Sequence, residues 1–339
     1  MAPSHSQQLE RLGISRIETP TPFPQVPTAN AWLVEGPELT LIDTGSAFRP
    51  AWESFKTQFA ATGHEVGDIR RILITHGHPD HAGLAGAILR RSDARVFIHE
   101  GDARKVTTIP EDDPQALWDS YAAYYRLLGM PESFIAYMHQ VAFAALRAGE
   151  RLAGVEILHE GDTMTVGGGA LEVKACPGHT PGCVCFHLRD HGVLFSGDHL
   201  LPTISPNPVM ELGATASEEA PWEGKFKSLV SYVASLAKTR AMDLDVVLPG
   251  HGDPFTDHRR LIDELDRFHQ LRQHKVAQAM RGGEATVYEL ARQLFPDREH
   301  IELFLSISEL VGHLEVLEEE GRVARIIDDG RLYYRLNSD

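Results

Sequence analysis

Cysteine is scarce in this chain of 339 residues: there are three, Cys176, Cys183 and Cys185, confined to one short stretch. An odd, clustered count does not make a disulfide framework, and the spacing is not that of a zinc finger. The three are read as small apolar residues in a reducing compartment. No run approaches the roughly 18 apolar residues of a membrane span. The opening M-A-P-S-H-S-Q-Q-L-E has no basic segment leading into an apolar one, so no secretory signal is expected. A soluble, cytoplasmic protein without a membrane partner is the expectation. Basic residues are outnumbered, 32 Lys and Arg against 48 Asp and Glu, for a net charge of −16. Such a surface repels phosphate backbones, and no DNA partner is expected. Low-complexity tracts and repeats with a period of 20 to 50 residues are also missing.

What remains is an ordinary globular composition, 42% hydrophobic and 24% charged. The length suits one large α/β domain with a small appendage. After a proline-rich entry at 20–30, Trp32–Glu35 and Leu39–Asp43 read as a hairpin about Gly36-Pro37. Residues 50–61 read as a helix, Arg71–Thr75 as a buried strand, Ala82–Arg90 as a helix and Arg95–His99 as a strand. Residues 101–150 break this alternation with two amphipathic helices punctuated by Gly129 and Pro131. Strands return at Leu171–Lys174, Val184–Leu188, Val193–Ser196 and Asp245–Leu248, with a helix over 222–240. From about residue 257 the order is a long helix to Arg281, helices at 286–295 and 306–321, and a hairpin over 322–336 turning at Asp328-Asp329-Gly330. That order reads as a winged-helix module.

The chemistry concentrates in T-H-G-H-P-D-H at 75–81. Two histidines two apart, on a loop leaving a strand, can reach one ion, while Asp80 and His81 on the same turn can hold a second. Three further strand ends each offer one donor: P-G-H-T-P-G presents His179, F-S-G-D presents Asp198, and L-P-G-H-G presents His251. The carboxyl ends of strands are where α/β sheets gather functional groups. Each motif alone is weak, but their order after H-x-H-x-D-H is specific.

Over residues 15–260 these motifs resemble the metallo-β-lactamase superfamily. The resemblance implies an αββα sandwich, two sheets packed face to face between outer helices. It implies that His76, His78 and His179 hold one metal, that Asp80, His81 and His251 hold the other, and that Asp198 bridges them. The L-I-D-T-G at 41–45 also matches, with Asp43 as a supporting residue that orients ligands. No ligand position departs from the dinuclear pattern, which argues against the superfamily's single-iron dioxygenases. The C-terminal order and its H-L-E-V-L-E-E-E-G-R-V string resemble the winged helix appended to the lactamase-β-like subgroup.

The expected protein is thus an α/β (α+β) chain, with a catalytic domain at 1–256, a helical insertion at 101–150, and a winged-helix-like domain at 257–339. Two divalent metals, zinc by ligand type with iron or manganese as alternatives, would generate a bridging hydroxide near neutral pH. Asp80 and Asp198 are the expected catalytic carboxylates. Three activities stay open: hydrolysis of a small carbonyl ester (thioester or lactone), a metal-dependent nuclease or phosphodiesterase, and a nucleic-acid-binding regulator. The acidic stretch 306–321, with five glutamates and no Lys or Arg, weighs against the last and points to packing or homodimer formation. A small-molecule substrate would meet His199 and Asn207 near the metals. Trp118, Tyr121 and Tyr125 lie on one helix face that can line a pocket under a helical lid.

Overall fold

The computed structural model describes residues 5–24, 26–107, 114–147, 150–206, 209–213 and 216–337. In chain order the elements are α1 (His5–Arg11), β1 (Ile14–Pro20), β2 (Thr28–Val34), β3 (Thr40–Ile42), α2 (Arg49–Ala61), β4 (Arg71–Leu73), α3 (Pro79–Ala82), α4 (Ala85–Leu89), β5 (Arg95–His99) and α5 (Glu100–Val106). There follow α6 (Pro114–Leu127), α7 (Glu132–Arg147), β6 (Glu156–Leu158), β7 (Thr163–Val166), β8 (Gly169–Ala175), β9 (Val184–Leu188), β10 (Val193–Gly197), α8 (Ser228–Arg240) and β11 (Val246–Pro249). The last are α9 (His258–Ala279), β12 (Ala285–Thr286), α10 (Val287–Leu294), α11 (His300–Glu319), β13 (Val323–Asp328) and β14 (Arg331–Leu336). No helix among the described residues is long and apolar enough to cross a membrane.

Packing divides the chain into two units. The first takes Met1–Ile109, Ala145–Pro206 and Ala237–Leu261; the second takes Pro110–Ala144, Asn207–Leu236 and Ile262–Asp339. The last stretch of the second unit begins at Ile262. The insertion, however, packs with the C-terminal elements rather than as part of the first domain.

The first unit is built on two sheets, ordered β1-β2-β3-β4-β5-β6 and β11-β10-β9-β8-β7. Their facing sides share one apolar layer, including Trp32, Val34, Ile42 and Leu73 from the first sheet and Val173, Phe186 and Phe195 from the second. Continuous burial along β2, β9 and β10 explains why these strands read as apolar runs rather than alternating ones. A second apolar layer on the first sheet takes in Phe55 and Phe59 of α2 and Ile88 of α4. Pro249 can end β11 because that strand is the edge of its sheet.

The helix expected at 82–90 is instead two short ones. The Leu84 amide donates to the Gly45 carbonyl (3.1 Å) and to Thr44 Oγ1 (3.1 Å) rather than within a helix, which breaks the run at Gly83. The helix expected from 222 starts at Ser228, after a turn through 221–224, and Ser228 Oγ donates to the Val209 carbonyl. Strands β1, β6 and β7 complete the sheets beyond the expected set.

In the second unit, β12-β14-β13 form a three-stranded sheet beside α10 and α11. Helix α11 is buried on nearly every side, from Leu303 and Phe304 to Leu317. Its acidic residues are spent inside the unit: Glu309 on Arg272 (2.7 Å), Glu315 on Lys225 (2.6 Å) and Glu319 on Lys227 (2.8 Å).

Candidate metal centre

Every candidate ligand sits just past a strand of the first unit. Strand β4 delivers the loop and short helix carrying His76, His78, Asp80 and His81; β8 leads to His179, β10 to Asp198 and β11 to His251. The loops converge, and three groups of donor atoms each lie within 4.8 Å of one another: His76, His78 and His179; His76, His81 and Asp198; Asp80, His81 and His251.

In the first group Nε2 of His76 and Nε2 of His179 each lie 3.0 Å from Nδ1 of His78. Tetrahedral zinc with bonds of 2.0–2.1 Å separates its donors by about 3.3 Å, so these nitrogens already stand near the edges of a coordination shell. In the other half, His81 Nε2 is 3.3 Å from His251 Nε2 and 3.3 Å from Asp198 Oδ1. Asp80 Oδ2 is 3.5 Å from His251 Nε2. Asp198 stands between the halves, its Oδ2 3.5 Å from both His179 Nε2 and His251 Nε2. This approach depends on Gly250, where a Cβ would fall 2.5 Å from Asp198 Oδ1 and 2.6 Å from His81 Cε1.

The donor set fits divalent metal. Asp198 Oδ1 is buried without a hydrogen-bond partner, which a buried carboxylate does not tolerate without compensation. Burial, reinforced by neighbouring imidazoles, pushes His76 and His78 well below the usual histidine range, so both present lone pairs at neutral pH. Burial pulls His81 and His251 down too, but the Asp198 carboxylate outweighs it and raises both, with Asp43 adding to the rise at His81. In turn, although burial pushes Asp198 up, His251 and His81 hold it well below the carboxylate range.

Ring orientations are fixed from behind. Asp43, in left-handed backbone (φ 58°), accepts from the Thr75 amide (2.8 Å), from Thr75 Oγ1 (2.8 Å) and from His81 Nδ1 (2.9 Å). That pairing turns His81 Nε2 toward His251 and Asp198. His251 Nδ1 donates to the Thr28 carbonyl at 2.6 Å, which aims its Nε2 the same way. No sequence signal marks Thr28, since only its backbone acts.

The expected substrate contacts are placed differently. His199 is fully buried with Nε2 2.8 Å from Thr239 Oγ1, and burial pushes it down to about 3; it offers no surface to a substrate. Asn207 lies outside the described residues. Trp118, Tyr121 and Tyr125 are brought together in the second unit, where Tyr125 lies in the apolar core and Trp118 and Tyr121, both partly exposed, pack against it. Tyr125 is 4% exposed, with its ring centroid 6.0 Å from that of Trp118, 5.9 Å from Tyr121 and 5.9 Å from Phe304. Helical spacing marked the shared face correctly but did not say what covers it.

Comparison with known proteins adds four findings. A family model described as the metallo-beta-lactamase superfamily matches residues 25–251. Among curated proteins, the probable metallo-hydrolase YqjP of Bacillus subtilis is 30% identical over 324 residues, 94% of this chain and 96% of that protein. The acyl-coenzyme A thioesterase MBLAC2 of Homo sapiens is 30% identical over 176 residues, 50% of this chain and 57% of that one. Among solved structures, a metallo-beta-lactamase family protein from Thermus thermophilus superimposes with a TM-score of 0.79 at 30% identity, covering 96% of this chain and 99% of that one.

Proposed function

The chain belongs to the metallo-beta-lactamase superfamily and is a metal-dependent hydrolase, and from that premise we propose that it is dinuclear and cleaves a small carbonyl ester of the thioester or lactone class. The observation that carries the proposal is the convergence of seven donors, His76, His78, Asp80, His81, His179, Asp198 and His251, into overlapping groups. Seven are too many for one four-coordinate ion.

When bound, two divalent ions would supply Lewis acidity toward the substrate oxygen and make water nucleophilic near neutral pH. The chain's own residues then do the rest. His76 and His78 present lone pairs beside the His179 ring, and Asp198 contributes negative charge between the halves. Asp80, at the rim beside His251, accepts a proton from the attacking water or orients it. No serine or cysteine nucleophile is required, and burial pushes the Cys183 and Cys185 thiols well above their usual range. The thioester preference is supported by the likeness to a human acyl-coenzyme A thioesterase over half of the chain. Zinc is the proposed ion, on imidazole and carboxylate donors, and the cytoplasm the proposed compartment.

The test is elemental analysis of the purified chain with a screen of thioesters, lactones, phosphodiesters and RNA. Two metals per chain, roughly 3.5–4 Å apart as in other two-metal hydrolases, are expected. Chelation should remove turnover and zinc should restore it. One metal at saturation, with Asp80 and His81 unliganded, would sink the dinuclear reading.

We also propose that the C-terminal winged-helix-like elements serve packing or self-association rather than DNA. A recognition helix needs a free basic face, whereas α11 is buried nearly all round and its glutamates are paired internally. No salt-dependent mobility shift of duplex DNA is expected at submicromolar protein; a shift that weakens with salt would revive the regulator reading.

A further inference from the structure

Between the two loops that carry the three-histidine group stands a side chain to which no role has so far been attached. Asp102, in the first turn of α5, is fully buried. Its Oδ2 accepts from the Gly77 amide (2.7 Å) and from Thr180 Oγ1 (2.7 Å). Its Oδ1 accepts from the Gly182 amide (3.1 Å) and lies 2.9 Å from Lys105 Nζ. Gly77 separates His76 from His78, and Thr180 follows His179. One carboxylate therefore joins the β4 loop to the loop after β8, with α5 as the anchor.

We propose that Asp102 is the positioning residue of the His76–His78–His179 half of the centre, setting the distance between the two loops. The proposal rests on the reading that these three histidines hold a metal. The four partners of Asp102 include none of the rings, so it acts through the loop residues on either side of them. All four partners are donors, so the group must be a carboxylate with both oxygens accepting. The fit is close: a Cβ at Gly182 would fall 2.5 Å from the Asp102 amide nitrogen and 2.7 Å from its Cβ. Asp43 plays the matching part for the other half, through Thr75 and the His81 ring. Two buried carboxylates thus divide the support of the centre, one behind each half.

An amide cannot replace this carboxylate. In either orientation of Asp102→Asn, the NH2 faces a backbone N–H, at Gly77 or at Gly182, and one loop loses its tether. Lys105→Met separates charge from positioning, because it removes the counter-charge and leaves the three loop bonds. Thr180→Val removes one bond with little change of shape.

The experiment is zinc and cobalt titration of the full-length chain, read by stoichiometry, by competition with a chromophoric chelator and by the visible spectrum of the cobalt form. Melting temperature is followed in parallel. Expected are one tight metal instead of two in Asp102→Asn, with the second weakened at least about 10-fold, in line with the loss of outer-shell support at metal sites. A smaller weakening of that metal is expected in Thr180→Val, and two tight metals in Lys105→Met. Asp43→Asn should weaken the other metal and leave a different cobalt spectrum. His179→Ala tests the ligand reading itself: if it keeps both metals, that reading fails and this proposal with it. If His179→Ala loses a metal while Asp102→Asn and Thr180→Val bind two as the parent does, the positioning role alone is overturned. Should Asp102→Asn not fold, Thr180→Val decides.

Discussion

Asp198→Ala is expected to remove hydrolysis, with turnover falling by more than about 100-fold, beyond the 10–100-fold typical of residues that merely support a metal ligand. Among the described residues, Asp198 is the carboxylate that faces both halves of the centre, with Oδ1 toward His81 and Oδ2 toward His179 and His251. On the proposed dinuclear reading, its loss would take away the negative charge shared between two cations and the donor that spans them. The fold should survive, because the side chain sits on a loop beyond β10 and contributes nothing to the apolar layer between the sheets. Metal content should fall below two per chain, and Asp198→Asn, which keeps shape and loses charge, should fall nearly as far. Turnover close to that of the parent, with both metals retained, would show that Asp198 does not bridge.

Tyr125→Ala should act on stability instead. The ring is enclosed by Trp118, Tyr121 and Phe304 in the core of the second unit. Truncating a buried aromatic costs about 3–5 kcal/mol. Denaturant or thermal unfolding of that unit should show the loss, while relative rates across a series of acyl chain lengths stay put. Tyr121→Phe is the mild companion: it deletes only the hydroxyl that accepts from the Leu212 amide at 3.3 Å, worth about 1 kcal/mol. A reordered acyl preference in Tyr125→Ala, with unfolding unchanged, would return these aromatics to a substrate pocket.

The centre was legible because its donors are local in sequence or stand at strand ends. Four of the seven candidates lie in one six-residue string, 76–81, and the others each follow a glycine or a glycine-containing turn after a strand. Asp43 was legible through the motif around it. Asp102 was not: a lone aspartate in a first helical turn has an ordinary reading as a favourable charge near the helix N-terminus. Its four partners come from three separate stretches, which no spacing rule connects. The strands missed have a similar cause. β6 and β7 are sheet edges of three and four residues with mostly exposed side chains, too short for a period to stand out. His199 misled because adjacency to Asp198 in sequence does not fix direction; it turns away, toward Thr239.

The division of the chain bears on the order in which the molecule can be made. The second unit is assembled from three separated stretches, 110–144, 207–236 and 262–339. On a ribosome, α6 and the first part of α7 emerge long before α10 and α11, whose Leu290, Phe304, Ile307 and Leu310 complete their cluster. Until then a large apolar face has no cover, and exposed faces of that kind invite aggregation during synthesis. The same arithmetic governs the bench. A fragment cut at residue 257 to isolate the centre would keep every donor atom and still leave Tyr124, Tyr125 and Leu128 without α11, and so should be recovered in inclusion bodies. Excising 110–144 and 207–236 together with the C-terminal stretch, which removes the whole second unit, is the shorter path to a soluble fragment.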